Sequence, residues 1–170
     1  PPIDPLRERL VMSLVTQIGR EGNVFDLAPE NARQVLLNSP VLSQRKLRQI
    51  LALPQAQNAQ IKLDLYYDPA EGLEAAIRRL CREAEDAVRG GDLIVLLSDR
   101  YPAPGLLPIH ALLAVGAVHA HLLQTHLRCD CNLLVETGTA RDSHHFACLI
   151  GFGATAVYPY LAYQTLYDMN

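Results

Sequence analysis

The pattern of apolar and polar positions changes character near residue 60. From there on, short apolar runs alternate with longer stretches of helical spacing. Ile61, Leu63, Leu65 and Tyr67 alternate with Lys62, Asp64 and Tyr66, which predicts a strand with one face less buried. Leu93 to Leu97 is apolar throughout, and Asn132 to Val135 is a short apolar run, as strands buried on both faces require. Ala156-Val157-Tyr158 begins a fourth strand. Between the first two, Leu73, Ile77, Leu80, Ala84 and Val88 line one side of a helix that stops at Gly90-Gly91. Its remaining surface carries Glu74, Arg78, Arg79, Arg82, Glu83 and Glu85. Further helices are predicted from Ile109 to about Thr125, from Ser143 to the Gly151-Phe152-Gly153 turn, and from Leu161 to Met169.

Capping residues sharpen two of these starts. Asp68-Pro69-Ala70-Glu71 places Asp at N-cap, Pro at the first helical position and Glu at the third. Asp142 stands as N-cap before Ser143. The resulting order β-α-β-α-β-α-β-α predicts an α/β fold of four βα units. Its sheet should be mostly parallel with right-handed crossovers, either open or forming an incomplete (βα)8 barrel.

Upstream the pattern is weaker. Pro1 to Gly22 begins PPIDP, whose prolines hold the chain extended, and a short helical pattern follows at Leu6, Leu10 and Leu14. Residues 1–22 are expected to connect to a preceding domain, and residues 23–170 to form the α/β domain. Asn23 to Asp26 and Arg33 to Asn38 look strand-like, and Ser43 should cap a helix containing Leu47, Ile50 and Leu51 and ending at Pro54. A start at Pro-Pro without Met and an end inside a helix predict a segment of a longer chain.

Composition narrows the class. A chain of 170 residues with 49% hydrophobic content fits one globular domain. A net charge of −3 gives no reason to expect nucleic acid or an anionic membrane as partner. Leu106 to Val118, the longest apolar run, contains Pro108 and His110 and falls short of the ~20 residues that a membrane span needs. The four cysteines do not read as a disulfide framework, so reduced thiols and a cytoplasmic setting are expected. Cys81 and Cys148 fall on apolar helix positions and read as core; Cys129 and Cys131 flank a turn entering a strand.

Chemistry in a parallel fold sits at the carboxyl ends of its strands. Those ends carry Asp68, Asp99-Arg100, Glu136-Thr137 and Tyr158 to Tyr160, a rim suited to acid–base or anion-binding work. Asp68 is already explained as a cap, and Asp99 is placed to pair with Arg100. His144 and His145 are adjacent on a helix and point about 100° apart, so they do not chelate one ion. His144 and Cys148 share a face, but no HExxH or CxxC spacing supports a metal site. The glycines of Gly151-Phe152-Gly153 follow a helix and precede a strand, the reverse of a dinucleotide loop. From the residues alone this is an α/β domain without an evident catalytic centre.

One long stretch, VETGTARDSHHFACLIGFGATAVYPYLAY from Val135 to Tyr163, closely resembles the central region of the large subunit of bacterial glutamate synthase. PPIDPLRERLVMSL and VLLSDR…AVGAV resemble the same region, so the likeness runs from Pro1 to about Tyr167. The wording lies nearer the NADPH-type enzymes than the ferredoxin-type ones. The resemblance implies a larger enzyme that makes two glutamates from glutamine and 2-oxoglutarate. It implies an amidotransferase domain, a (βα)8 synthase domain holding FMN and an iron–sulfur cluster, and a small NADPH-oxidising subunit. The central domain then carries no catalytic residue, binds no cofactor or metal itself, joins the other two domains and helps enclose the ammonia path. Residues expected at interdomain contacts or that path are Arg7, Met12, Asp99, Arg100, Glu136, Arg141, Asp142, His144 and His145. Two other readings stand beside this one. One is a free-standing enzyme using the rim; the other is a small-anion-binding module using Arg100, Arg141 and the helix start at Ser143.

Overall fold

The computed structural model describes residues 13–20, 22, 25, 29 and 33–169. Arg7, Met12, the start of the expected connector and most of Asn23 to Asp26 lie outside the described residues. Two short strands, β1 (Thr16–Ile18) and β2 (Val35–Leu37), pair antiparallel as a ribbon. Helix α1 (Gln44–Leu51) follows, with Ser43 Oγ accepting from the Lys46 amide at 3.3 Å as the capping residue.

The main sheet holds β3 (Gln60–Asp64), β5 (Ile94–Ser98), β7 (Asn132–Glu136) and β8 (Ala156–Tyr158), all parallel and in that spatial order. Helices α2 (Leu73–Arg89), α3 (Ala111–Gln124) and α4 (Ser143–Gly151) are the crossovers, and α5 (Tyr160–Asp168) leaves the last strand. The four βα units therefore form an open sheet. Each crossover steps to the next strand in the same direction, so right-handedness places α2, α3 and α4 on one face. There Leu63, Val95, Leu97, Leu133, Val135 and Val157 pack against Leu80, Ala84, Val115, Val118 and Leu149.

A sheet buried on only one side would not need wholly apolar strands. Every residue of β5 and β7 is buried, so the second face needs its own cover. The β1–β2 ribbon and α1 provide it: Ile18, Leu37, Leu42, Leu47 and Ile50 pack on Ile94, Leu96, Leu134 and Ala156. Asn132, buried at the start of β7, ties the ribbon down by donating to Gly19 O at 3.0 Å and accepting from the Gly19 amide at 3.4 Å. The outer edge of β8 is closed as well. Val157 donates to Pro40 O and accepts from the Leu42 amide, both at 2.8 Å. No helix among the described residues is long and apolar enough to cross a membrane.

Two local expectations need correcting. The run from Ile61 to Tyr67 is not one strand. It breaks at Leu65, whose amide donates to Ser98 O while its carbonyl accepts from the Ile109 amide, both at 2.8 Å. Tyr66–Tyr67 then forms β4, paired antiparallel with β6 (Leu107–Pro108). The first long helix does not begin after Asp68 either. Asp68 Oδ1 accepts from the Ala70 amide at 2.8 Å and closes a separate turn. Gly72, at φ 79°, is the N-cap and Leu73 the first helical residue. Only glycine adopts that backbone readily, so the chain turns twice before the helix starts. Glu71, freed from capping, binds Arg79 Nε at 2.9 Å instead.

Candidate functional site

Three of the strand ends anticipated from the sequence are brought together by parallel register; Asp68 is not among them, because β3 ends at Asp64 and Asp68 lies in a turn beyond β4. Ser98 stands opposite Glu136, and Glu136 opposite Tyr158, at the carboxyl ends of β5, β7 and β8. The Glu136 side chain is 7% exposed; Oε2 accepts from Ser98 Oγ at 2.7 Å and Oε1 from Arg100 Nη1 at 2.9 Å. Glu136 holds the Arg100 guanidinium still more firmly protonated than usual. Three rings, Tyr101, Tyr158 and Tyr160, lie within 5.4–5.7 Å of the Arg100 guanidinium carbon.

Asp99 is the other buried acid. It does not pair with Arg100, its chain neighbour. Its Oδ2 accepts from Thr137 Oγ1 at 2.5 Å and its Oδ1 from the Gly138 amide at 2.9 Å. Its backbone carbonyl accepts from Tyr66 Oη at 2.6 Å and Tyr160 Oη at 3.2 Å. Burial first, and then the negative charge of Asp99, raise both tyrosine hydroxyls above their ordinary range. These phenols are held neutral as donors. Both acids thus have their oxygens occupied by intramolecular donors, and no side-chain nitrogen or oxygen buried among the described residues lacks a partner. The arrangement binds β5, β7, β8 and α5 to one another.

The second group of expected residues lies one loop further on. Asp142 Oδ1 accepts from the His145 amide at 3.0 Å and caps α4 as anticipated. That hydrogen bond, with the nearby histidines, holds the Asp142 carboxyl below its ordinary value. Arg141, His144 and His145 border a cleft of about 640 Å³ together with His110, Thr139 and Leu161. Cys148 belongs to this cleft and not to the core. It is half-buried, and its sulfur lies 3.6 Å from His144 Nε2. Its apolar neighbours in sequence pointed inward, but α4 is only nine residues long and, of these, buries Leu149 alone. His110 was read only as an interruption in an apolar run; it is the N-cap of α3, with Nδ1 accepting from the Leu112 amide at 3.3 Å. A second cleft, of about 550 Å³, is lined by Arg45, Arg100, Tyr158, Tyr163 and Tyr167 among others. Arg100 and Arg141, grouped for an anion site, thus border different clefts.

Sequence reasoning missed Arg128. Its guanidinium donates to His119 Nδ1 at 3.0 Å, Cys131 O at 2.9 Å and Gly153 O at 2.8 Å, locking α3 to the turns at both ends of the βα unit. An Arg next to a CDC turn was the available signal, but its partners are far apart in the chain.

The cysteines are too scattered to hold a cluster: Cys81 and Cys131 are buried, Cys129 is exposed and Cys148 lies in its cleft. Among the described residues no three His, Cys, Asp or Glu side chains converge as metal ligands. The residues present therefore do not fit an iron–sulfur cluster, nor do the glycines after α4 form a flavin phosphate loop.

Fold and rim together define an α/β domain of four parallel βα units, whose buried strand-end acids bond within the domain. The glutamate synthase central domain family matches residues 1–170, and the chain belongs to that family. It is 47% identical to ferredoxin-dependent glutamate synthase of Spinacia oleracea, over 97% of this chain and 10% of that protein. It is 45% identical to ferredoxin-dependent glutamate synthase 2 of Arabidopsis thaliana, again over 97% of the chain and 10% of the relative. Against the glutamate synthase [NADPH] large chain of Azospirillum brasilense the identity is 44%, over 100% of the chain and 11% of the relative. Relatives of both electron-donor types therefore match at similar identity, and the chain spans about one tenth of their length.

Proposed function

We propose that this chain is the non-catalytic central part of a glutamate synthase, the enzyme that forms two L-glutamates from L-glutamine and 2-oxoglutarate. In this reading it joins an amidotransferase domain to a synthase domain of the same polypeptide and helps enclose the path of ammonia between them. FMN, the iron–sulfur cluster and the small NADPH-oxidising subunit belong to other parts of the assembly. The part of residues 1–22 that precedes β1, with Arg7 and Met12, serves as the connector from the amidotransferase, while β1 itself belongs to the α/β domain.

The observation that carries this reading is the state of the rim. Asp99 and Glu136 sit where a parallel fold keeps its catalytic acids, yet both are buried and saturated by Thr137, Gly138, Ser98 and Arg100. A general acid or base needs an oxygen open to substrate. Beside the rim, Arg141 and the N-cap Asp142 on a short loop, and His144 in the first turn of α4, are exposed on a rigid sheet. Contacts between domains of one chain are moderate in area and partly polar, and such a loop suits them.

The test uses the whole enzyme. Arg141→Ala should lower glutamine-dependent glutamate formation several-fold, while activity with added ammonia changes less and flavin content stays normal. Equal loss of both activities with loss of flavin would assign Arg141 to folding. No change in either would remove the loop from the interface.

A further inference from the structure

Helix α5 is unlike the other helices of the domain. Among its residues it buries none. Yet it is apolar nearly all round: Tyr160, Leu161, Ala162, Tyr163, Leu166 and Tyr167 leave only Gln164, Thr165 and Asp168 as polar positions. A helix of that composition is normally enclosed. Its polar side chains are satisfied within the helix. Gln164 Nε2 donates to Asp168 Oδ1 at 2.8 Å, and Thr165 Oγ1 to Leu161 O at 2.9 Å. Leu161 is 49% exposed, Tyr167 79% and the following Met169 78%. The α5 surface thus presents a broad apolar face on which Gln164, Thr165 and Asp168 already have a hydrogen-bond partner within the helix.

The helix is also a ridge between two grooves. Leu161 lines both the cleft at Arg141 and the tyrosine-lined cleft at Arg100. A small molecule would occupy one cleft; a surface seated on the ridge fills both. The outer borders of the grooves each carry an exposed arginine, Arg141 on one side and Arg45 on the other. The complementary surface is therefore apolar at its centre and acidic at its rim.

We infer that α5 is the docking ridge for another part of the same longer polypeptide, an apolar surface bordered by Asp and Glu. This rests on the domain-joining reading above and identifies the element that makes the contact. The curated relatives supply the reason to choose the same chain. About nine-tenths of each lies outside the matched segment, and a covalently linked surface meets the ridge at high effective concentration. The ridge is continuous with the rim through Tyr160, whose hydroxyl binds Asp99 O. Leu161 also lines the cleft that Arg141 and His144 border, so docking on α5 bears directly on that cleft.

The experiment places a benzophenone photo-crosslinking amino acid at Tyr167 in the full-length chain and maps the linked peptides by mass spectrometry. The expected product is an intrachain link from Tyr167 to residues outside this segment, in a peptide with apolar residues flanked by Asp or Glu. A link between two copies, a link to a separate subunit, a link confined to residues 1–170, or no link would each overturn the inference. A second variant guards against a silent probe. Tyr167→Asp, at a position the domain's own core does not use, should speed proteolysis of the full-length chain roughly tenfold by opening the contact. An unchanged rate would also overturn it. Failure here with a positive Arg141→Ala result would remove α5 and leave the joining role standing. Failure of Arg141→Ala with a positive crosslink would do the reverse.

Discussion

Arg100 shows why single residues resist reading from their neighbours in the chain. It follows Asp99 directly, yet its guanidinium turns to Glu136, 36 positions away. The β5–β7 register decides this, because Ser98 is aligned with Glu136 and carries Arg100 to it. The asymmetry of burial yields a prediction. Removing Arg100 leaves the nearly enclosed Glu136 carboxylate without its countercharge, whereas Glu136→Gln leaves a neutral amide beside a partly solvated guanidinium. Arg100→Ala should therefore cost about 2–4 kcal/mol of stability and Glu136→Gln about 1–2 kcal/mol. Urea denaturation of both variants checks the order. Equal costs, or a larger cost for Glu136→Gln, would mean the pair is solvated more than its geometry indicates. The sequence already identified Asp99, Arg100 and Glu136 as rim residues, since each ends an apolar run. Their pairing was not legible, nor was the tripod of Arg128, because both depend on which strands become neighbours.

At the scale of elements, local chemistry and tertiary demand agree in some places and compete in others. They agree at α4, where Asp142 both matches the capping pattern and caps. Its carboxyl is held below its ordinary value of 3.8 by the His145 amide and the nearby histidines. A carboxyl with a depressed folded value contributes stability above its unfolded value and loses it as pH falls through the folded one. Asp142→Ala should therefore lower the unfolding temperature at neutral pH. Asp142→Asn, which keeps an acceptor, should lower it less. The advantage of the native chain over Asp142→Asn should shrink as pH falls below 3.8. Thermal unfolding at several pH values measures it, and a gap independent of pH would rule out the charge as the cause. They compete at Asp68 and Leu65. The Asp-Pro start is a good capping sequence, but a turn forms there and Gly72 caps instead. The alternation through Tyr67 is good strand sequence, but Leu65 is claimed by Ser98 and Ile109, and Tyr66 is redirected to β6.

For the whole molecule the layering makes a prediction about thiols. Cys81 lies between α2 and the sheet, and Cys131 is buried at the start of β7, where burial pushes its thiol up to about 11. Cys129 is exposed and Cys148 borders a cleft. An alkylating agent should label Cys129 quickly, Cys148 more slowly, and Cys81 and Cys131 only on the timescale of global unfolding. Site-resolved mass spectrometry distinguishes these classes. Labelling of Cys131 in step with Cys129 would mean that the ribbon held by Asn132 opens independently of the core.

Local periodicity and capping chemistry set the kind and order of the βα units, the caps at Ser43 and Asp142, and the rim residues at the strand ends. These depend on spacing of 2 and 3.6 residues and on hydrogen bonds within a few positions, which the chain carries locally. Tertiary structure decided which strands lie side by side, that the sheet stays open, and that the β1–β2 ribbon and α1 cover its second face. It also decided that Cys148 faces a cleft, that Arg100 binds Glu136, and that α5 is left as an uncovered ridge. Each of these depends on register or layer, set by contacts between distant segments, and an apolar position looks the same in sequence whichever neighbour finally buries it.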